Sequence, residues 1–154
     1  MPDAPCIESA VPRDFLAVAA LDRIAWLHLG DTYIPDGEHA WRVWCEYATV
    51  LIVRHDDAPD EVGDIAGALL MFPTDSGDLF LHKIMVHPDI RGRGLGSALM
   101  RHALSSADRP VLLTVDPDNE AAIQLYRNFG FERHRHVPGF YREHEHRDLM
   151  IYRP

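Results

Sequence analysis

Ile84-Met85-Val86-His87-Pro88-Asp89-Ile90-Arg91-Gly92-Arg93-Gly94-Leu95-Gly96-Ser97 is the stretch that decides how this 154-residue chain is read. An apolar strand end runs through a Gly-rich loop into a segment of helical spacing. Gly92, Gly94 and Gly96 remove Cβ atoms where the backbone must turn sharply and come close to a ligand. The first N–H groups of the following helix have no intrahelical acceptor, and such groups bind phosphate oxygens. Arg91 and Arg93 add positive charge beside them, so the pattern is that of an anion site, with a Gly-rich turn that holds no ligand as the alternative. A P-loop is excluded, since no Lys follows a glycine here. A dinucleotide fingerprint, forced as Gly92-x-Gly94-x-x-Ser97 with Asp116 downstream, fails as well. Five residues separate Val86 from Gly92, where the first glycine should close the strand.

Working outward, Ile65–Phe72 and Leu79–Val86 read as strands joined across Pro73–Asp78, where Ser76-Gly77 is a hairpin signal. The β-branched run Ala48–Arg54 precedes them and completes an antiparallel meander. Residues 5–9 read as a short strand, and Pro12 opens a helix with Phe15, Val18, Leu21 and Ala25 at helical spacing. Leu29–Gly37 is turn-rich, and a second helix covers Glu38–Glu46. After the loop, Leu95, Leu99, His102, Ala103 and Ser106 form one helical stripe. Val111–Val115 is a continuous apolar run, the expectation for a strand buried on both faces. A helix over Glu120–Asn128 presents Ala122, Leu125 and Phe129 on one side and ends at Gly130, and Phe131–Val137 and Leu149–Tyr152 are the last strands.

At 47% hydrophobic residues the chain supports one core, hence a single domain over 1–154. No run approaches the roughly 20 apolar residues of a membrane helix, so the expectation is a soluble, cytoplasmic protein with no membrane partner. The net charge of −9 argues against nucleic acid, which needs a basic face. That charge is uneven: residues 1–77 hold 14 Asp and Glu against 4 Lys and Arg, while 78–154 hold 10 against 11. The second half is the one that tolerates an anion, and the first suits a cationic partner. Cys6 and Cys45 lack both metal-ligand spacing and the density of a disulfide framework, and are expected unpaired.

Arg91-Gly92-Arg93-Gly94-Leu95-Gly96 resembles the signature Arg/Gln-x-x-Gly-x-Gly/Ala of the GNAT superfamily of acetyl-CoA-dependent N-acetyltransferases. Leu112-Thr114-Val115, Asn119 and then Ala121-Ala122-Ile123-Gln124-Leu125-Tyr126-Arg127-Asn128-Phe129-Gly130-Phe131 look like the family's next block. The resemblance covers residues 79–136 and implies an α/β fold. Its mixed, mostly antiparallel sheet has about six or seven strands flanked by about four helices, and it splays between the strands at 79–86 and 111–115. It also implies acetyl-CoA as co-substrate. The N–H groups from Arg91 through Gly92, Arg93, Gly94, Leu95 and Gly96 to Ser97 would hold the pyrophosphate, and Ile84, Met85 and Val86 would pair with the pantetheine arm. Asn119 and Tyr126 complete the cofactor set. A homodimer is open, since sheets of this fold often pair edges.

Acetyl transfer to an amine needs a neutral nucleophile, a stabilised oxyanion and a proton for the leaving thiolate. By the resemblance, Tyr126 is the general acid and a backbone N–H near Met85 faces the oxyanion; the bland alternative for Tyr126 is a core tyrosine. The base departs from the family pattern, with Thr114 where relatives that acetylate protein N-termini often carry Glu, and no carboxylate in Leu79–Val86. His82, on the same strand face as Phe80 and Ile84, is the candidate; a structural hydrogen bond for His82 and a water chain as base are the alternatives. Trp26, Tyr33, Trp41 and Trp44 lie where relatives build the acceptor pocket; most of them are expected in the core, with one or two lining the amine site. His134-x-His136 and His144-x-His146 match no strong zinc signature, and no metal is expected. The competing reading of the whole is an acetyl-CoA-binding sensor or interaction module without chemistry.

Overall fold

The structure, a computed structural model, describes residues 4–27 and 33–154. Its strands are β1 (Ile7–Ser9), β2 (Thr49–Arg54), β3 (Ile65–Pro73), β4 (Leu79–Val86), β5 (Val111–Val115), β6 (Glu132–Val137) and β7 (Arg147–Tyr152). Its helices are α1 (Phe15–Ala25), α2 (Glu38–Tyr47), α3 (Leu95–Ser105) and α4 (Glu120–Asn128). The strands form one mixed seven-stranded sheet in the order β1-β2-β3-β4-β5-β7-β6, as expected of the fold class. None of the described helices is long and apolar enough to cross a membrane. Part of the expected turn-rich stretch Leu29–Gly37, residues 29–32, lies outside the described residues.

Contacts divide the chain into two compact units. The first holds residues up to Met71 and Lys83–Ala103. In it β1 and β3 flank β2 in antiparallel register, Ile7 opposite Val53 and Val50 opposite Leu70. Val18, Leu21, Ala25 and Trp41 are fully buried from α1 and α2, which is why the apolar spacing read in the sequence folds as it does. A short 3-10 turn over Pro12–Asp14 leads into α1, so Pro12 starts that turn rather than the α-helix itself. On α3 the buried stripe is Leu95, Leu99, Met100, Ala103 and Leu104. His102 and Ser106, expected on that stripe, are exposed, because the larger apolar pair Met100 and Leu104 takes the inward face.

The second unit holds Phe72–His82 and Leu104–Pro154. The β3–β4 turn closes on Gly77 at φ 94°, with the Thr74 N–H donating to Asp78 O at 2.8 Å. The β4–β5 ladder is parallel and limited to Leu79 opposite Val111 and Phe80 opposite Leu112. β5 buries Val111, Leu113 and Val115 but leaves Leu112 and Thr114 half-buried, so the expectation of complete burial on both faces is corrected. On α4 Leu125 is 47% exposed, and the half-buried side is Ala122, Ile123, Tyr126 and Phe129. That shift of one face carries Tyr126 inward.

Candidate active site

The loop after β4 is built by residues that use up their own polar groups first. His87, buried, donates its N–H to Ala66 O at 2.7 Å, and its Nδ1 accepts from the Asp89 N–H at 3.1 Å. Ile90 is buried and closes a 3-10 turn onto His87 O at 2.9 Å. From there the chain is exposed through Gly94, and Gly92 and Gly94 sit at φ 81° and 79°, where any other residue would be strained. Nothing lies within 4 Å of the position a Cβ would take at either glycine. The first helical bond beyond the loop is Ala98 N–H to Gly94 O at 3.0 Å. Among the described residues, no main-chain N–H from Arg91 to Ser97 reaches an acceptor outside its own helix. A row of donors at a helix start with open space before it has the geometry of a candidate anion cradle.

The two arginines have a different part from the one expected. Arg91 donates from Nη2 to Ala25 O at 2.5 Å and from Nε to Val86 O at 3.4 Å, so its cation caps the C-terminal end of α1. Arg93 Nη1 lies 2.7 Å from Asp57 Oδ2, and that guanidinium lowers the Asp57 carboxyl below the usual range. The cradle is therefore chiefly backbone, with arginines that brace it.

A buried polar cluster in the same unit escaped the sequence reading. Asp22 on α1 is fully buried and accepts from Trp41 Nε1 at 2.9 Å, from the Asp36 N–H at 3.0 Å, from the Tyr33 hydroxyl, and from Lys83 Nζ at 2.8 Å. Lys83 Nζ also reaches Asp36 Oδ2 at 2.5 Å and Tyr33 Oη at 2.6 Å, and stands 4.9 Å from the centre of the Tyr33 ring. Burial, the Asp22 hydrogen bond and the charges of Asp22 and Asp36 all raise the Tyr33 pKa, keeping it a neutral donor. Of the four aromatics weighed for the core or the acceptor site, Tyr33 and Trp41 serve this cluster, Trp44 packs edge-on against Trp41 at 5.2 Å, and Trp26 packs on Tyr33 at 5.3 Å with its buried Nε1 unpartnered. No local motif announces Lys83 and Asp22, which lie 61 residues apart.

In the second unit Tyr126 packs edge-on against Phe131 at 6.0 Å, and burial pushes its phenol above the ordinary value. Asn119 caps α4, its Oδ1 accepting from the Ala122 N–H at 3.1 Å. The helix closes at Gly130, φ 101°, through Phe131 N–H to Tyr126 O at 3.0 Å. His82 lies 6.2 Å from the Phe72 ring, which stacks on Phe80 at 5.9 Å. Of the histidine-rich pairs, His136 meets buried Asp148 at 2.7 Å and His146 Nδ1 accepts from the Gly139 N–H at 2.9 Å, while no metal-holding group of three is present among the described residues. Cys6 is exposed and Cys45 buried, both free.

This geometry, a splayed mixed sheet with a backbone anion cradle between β4 and α3, defines a class, and the chain matches the acetyltransferase (GNAT) family over residues 19–131. It belongs to that family. It is 42% identical over 66 residues to an uncharacterized N-acetyltransferase of Methanocaldococcus jannaschii, a match covering 40% of this chain and 29% of that protein. The chain thus spans less than a third of that relative's length. The ribosomal-protein-S18-alanine N-acetyltransferase of Escherichia coli is similar in structure at TM-score 0.79 and 22% identity, over 97% of this chain and 94% of that one. So is a diaminobutyrate acetyltransferase of Paenibacillus lautus in complex with L-2,4-diaminobutyric acid and coenzyme A, at TM-score 0.74 and 20% identity, over 99% and 96%. At these identities the likeness is one of fold.

Proposed function

We propose that this chain transfers the acetyl group of acetyl-coenzyme A to a primary amine, on a small molecule or a peptide N-terminus, by direct attack on the thioester. The observation that carries the reading is the row of donors from Arg91 to Ser97 that finds no protein acceptor and opens at Gly92 and Gly94. A diphosphate supplies what those groups lack. Ile84, Met85 and Val86 then pair with the pantetheine arm, a role supported by a β4–β5 ladder that ends at Phe80. The amine nitrogen bonds to the thioester carbon, the oxyanion is met by the Met85 N–H, the C–S bond breaks, and Tyr126 protonates the thiolate. His82 takes the proton the amine sheds. The raised phenol pKa of Tyr126 supports its role, since a donor must hold its proton at working pH. The excess of Asp and Glu in residues 1–77 supports a cationic acceptor, and one fold neighbour is bound to L-2,4-diaminobutyric acid, an amino acid with a second amine.

Thiol release measured against a panel of diamines, amino acids and peptide N-termini, with acceptor-free hydrolysis subtracted, tests the reading. Coenzyme A titrated by calorimetry must bind; absence of binding overturns the proposal. One observation favours a second reading, a non-catalytic acetyl-CoA sensor: no carboxylate sits on β4, and β5 carries Thr114 rather than Glu. Binding without thiol release across the panel would select it.

A further inference from the structure

Resting on the proposed transfer, we infer that Lys83 is a positioning residue, whose ammonium pins the end of β4 to α1 and so fixes the main chain of Ile84–Val86 against the thioester. β4 is a strand with a problem. Its ladder with β5 stops at Phe80, yet the residues proposed to align the thioester come later, at 84–86. Misplacement of reacting groups by about 1 Å costs on the order of a hundredfold in rate. Past Phe80 the strand keeps β3 on its other edge, with the His87 N–H on Ala66 O at 2.7 Å, and what neither strand supplies is a tie to the helix layer.

Lys83 immediately precedes those residues. Its three N–H groups meet three acceptors, Asp22 Oδ1, Asp36 Oδ2 and Tyr33 Oη, within 2.8 Å, so the ammonium has no rotational freedom left. The side chain is 9% exposed, which shields the contacts from competing water. Asp22 in turn gathers Trp41 of α2 and the main chain of Asp36, so the anchor point is itself braced from two further segments. One turn further along α1, Ala25 O receives Arg91. The start and end of the stretch from Lys83 to Arg91 are thus tied to the same helix at points three residues apart. Helix α1 acts as a ruler for both the strand end and the phosphate loop. A buried ion pair is a poor source of stability compared with apolar residues of equal volume, and a fixed geometry is what this one supplies.

The test uses Lys83→Met and the double variant Asp22→Asn/Lys83→Met, which removes the uncompensated buried charge. Three quantities are read: amide hydrogen exchange at Leu81–Val86 against α3, the dissociation constant for coenzyme A by calorimetry, and kcat at saturating acetyl-CoA. Both variants should exchange at Leu81–Val86 about tenfold faster or more with α3 unchanged. Their kcat should fall about tenfold or more while coenzyme A affinity stays within about threefold, because Arg91, Arg93 and His87 still brace the loop. If Lys83→Met does not fold, the double variant carries the measurement. Unchanged exchange at Leu81–Val86 overturns the inference, as does recovery of kcat together with thermal stability in the double variant, which would mark a merely structural pair. The exchange arm needs no turnover, so a wild-type protein that acetylates nothing overturns the transfer reading alone.

Discussion

Replacing Gly94 by alanine separates a loop built for a ligand from a loop that is only a tight turn, provided Gly77 is replaced in parallel. Both glycines sit at positive φ, 79° and 94°, and neither would place a Cβ within 4 Å of another atom. In the free protein the two substitutions therefore cost the same kind of energy, backbone strain of about 1–2 kcal/mol, with no steric contribution. For a chain of this size that lowers the melting temperature by about 2–8 °C in each case. Coenzyme A binding breaks the tie. A methyl group at Gly94 stands among N–H groups proposed to hold the diphosphate, and misaligning one charge-assisted hydrogen bond costs about 1.5–3 kcal/mol. The dissociation constant measured by calorimetry should rise about 10- to 100-fold in Gly94→Ala and stay unchanged in Gly77→Ala. Equal coenzyme A affinity in the two variants, at equal loss of melting temperature, would refute the cradle and the function built on it.

Tyr126→Phe should lower kcat about a hundredfold with coenzyme A affinity unchanged. Because burial raises the Tyr126 pKa, its protonated form persists to higher pH; the wild-type kcat should decline only above the ordinary tyrosine value of about 10, and that limb should vanish in the variant. Identical pH profiles would remove Tyr126 from the chemistry. Gly67→Ala places a Cβ 3.1 Å from Val53 Cγ1 and 3.2 Å from both Leu99 Cδ1 and the main-chain Met85 O, which cannot yield, so a loss of about 1–3 kcal/mol is expected in denaturant titration. Gly96→Ala meets only Val86 Cγ2 at an ordinary 3.6 Å and should leave stability unchanged. Burial, aided by Asp14, pushes the Cys45 thiol up to about 11, so at pH 8 thiol titration of the folded protein should count one fast group, exposed Cys6, and two after denaturation. Two fast thiols in the folded protein would contradict that burial.

The boundaries of β4, β5 and α4 were legible to the residue because each is fixed by local signals: Ser76-Gly77 before β4, a five-residue apolar run for β5, Asn119 and Gly130 around α4. Faces were less legible. Leu125 and Ile123 are equally apolar, and which of them turns inward depends on the partner strands, not on spacing. Arg91 illustrates the same limit at the site. The sequence puts a cation beside a Gly-rich loop, and the fold aims it at Ala25 O, an acceptor 66 residues away.

Lys83 marks the far end of that limit. Along β4 it reads as a polar residue in alternation with Phe80, His82 and Ile84, and a lone lysine on a half-buried strand ordinarily sends its charge to water. Here the carboxylate that keeps it inside comes from α1, and the second from the segment before α2. Asp22 likewise reads as a helix-surface residue until Trp41, Tyr33 and Lys83 converge on it. Neither charge can be buried without the other, since an unpaired ion in the interior costs several kcal/mol. The pair is therefore information carried only by the folded chain, and it sits one residue from the main chain to which the proposed chemistry assigns the thioester.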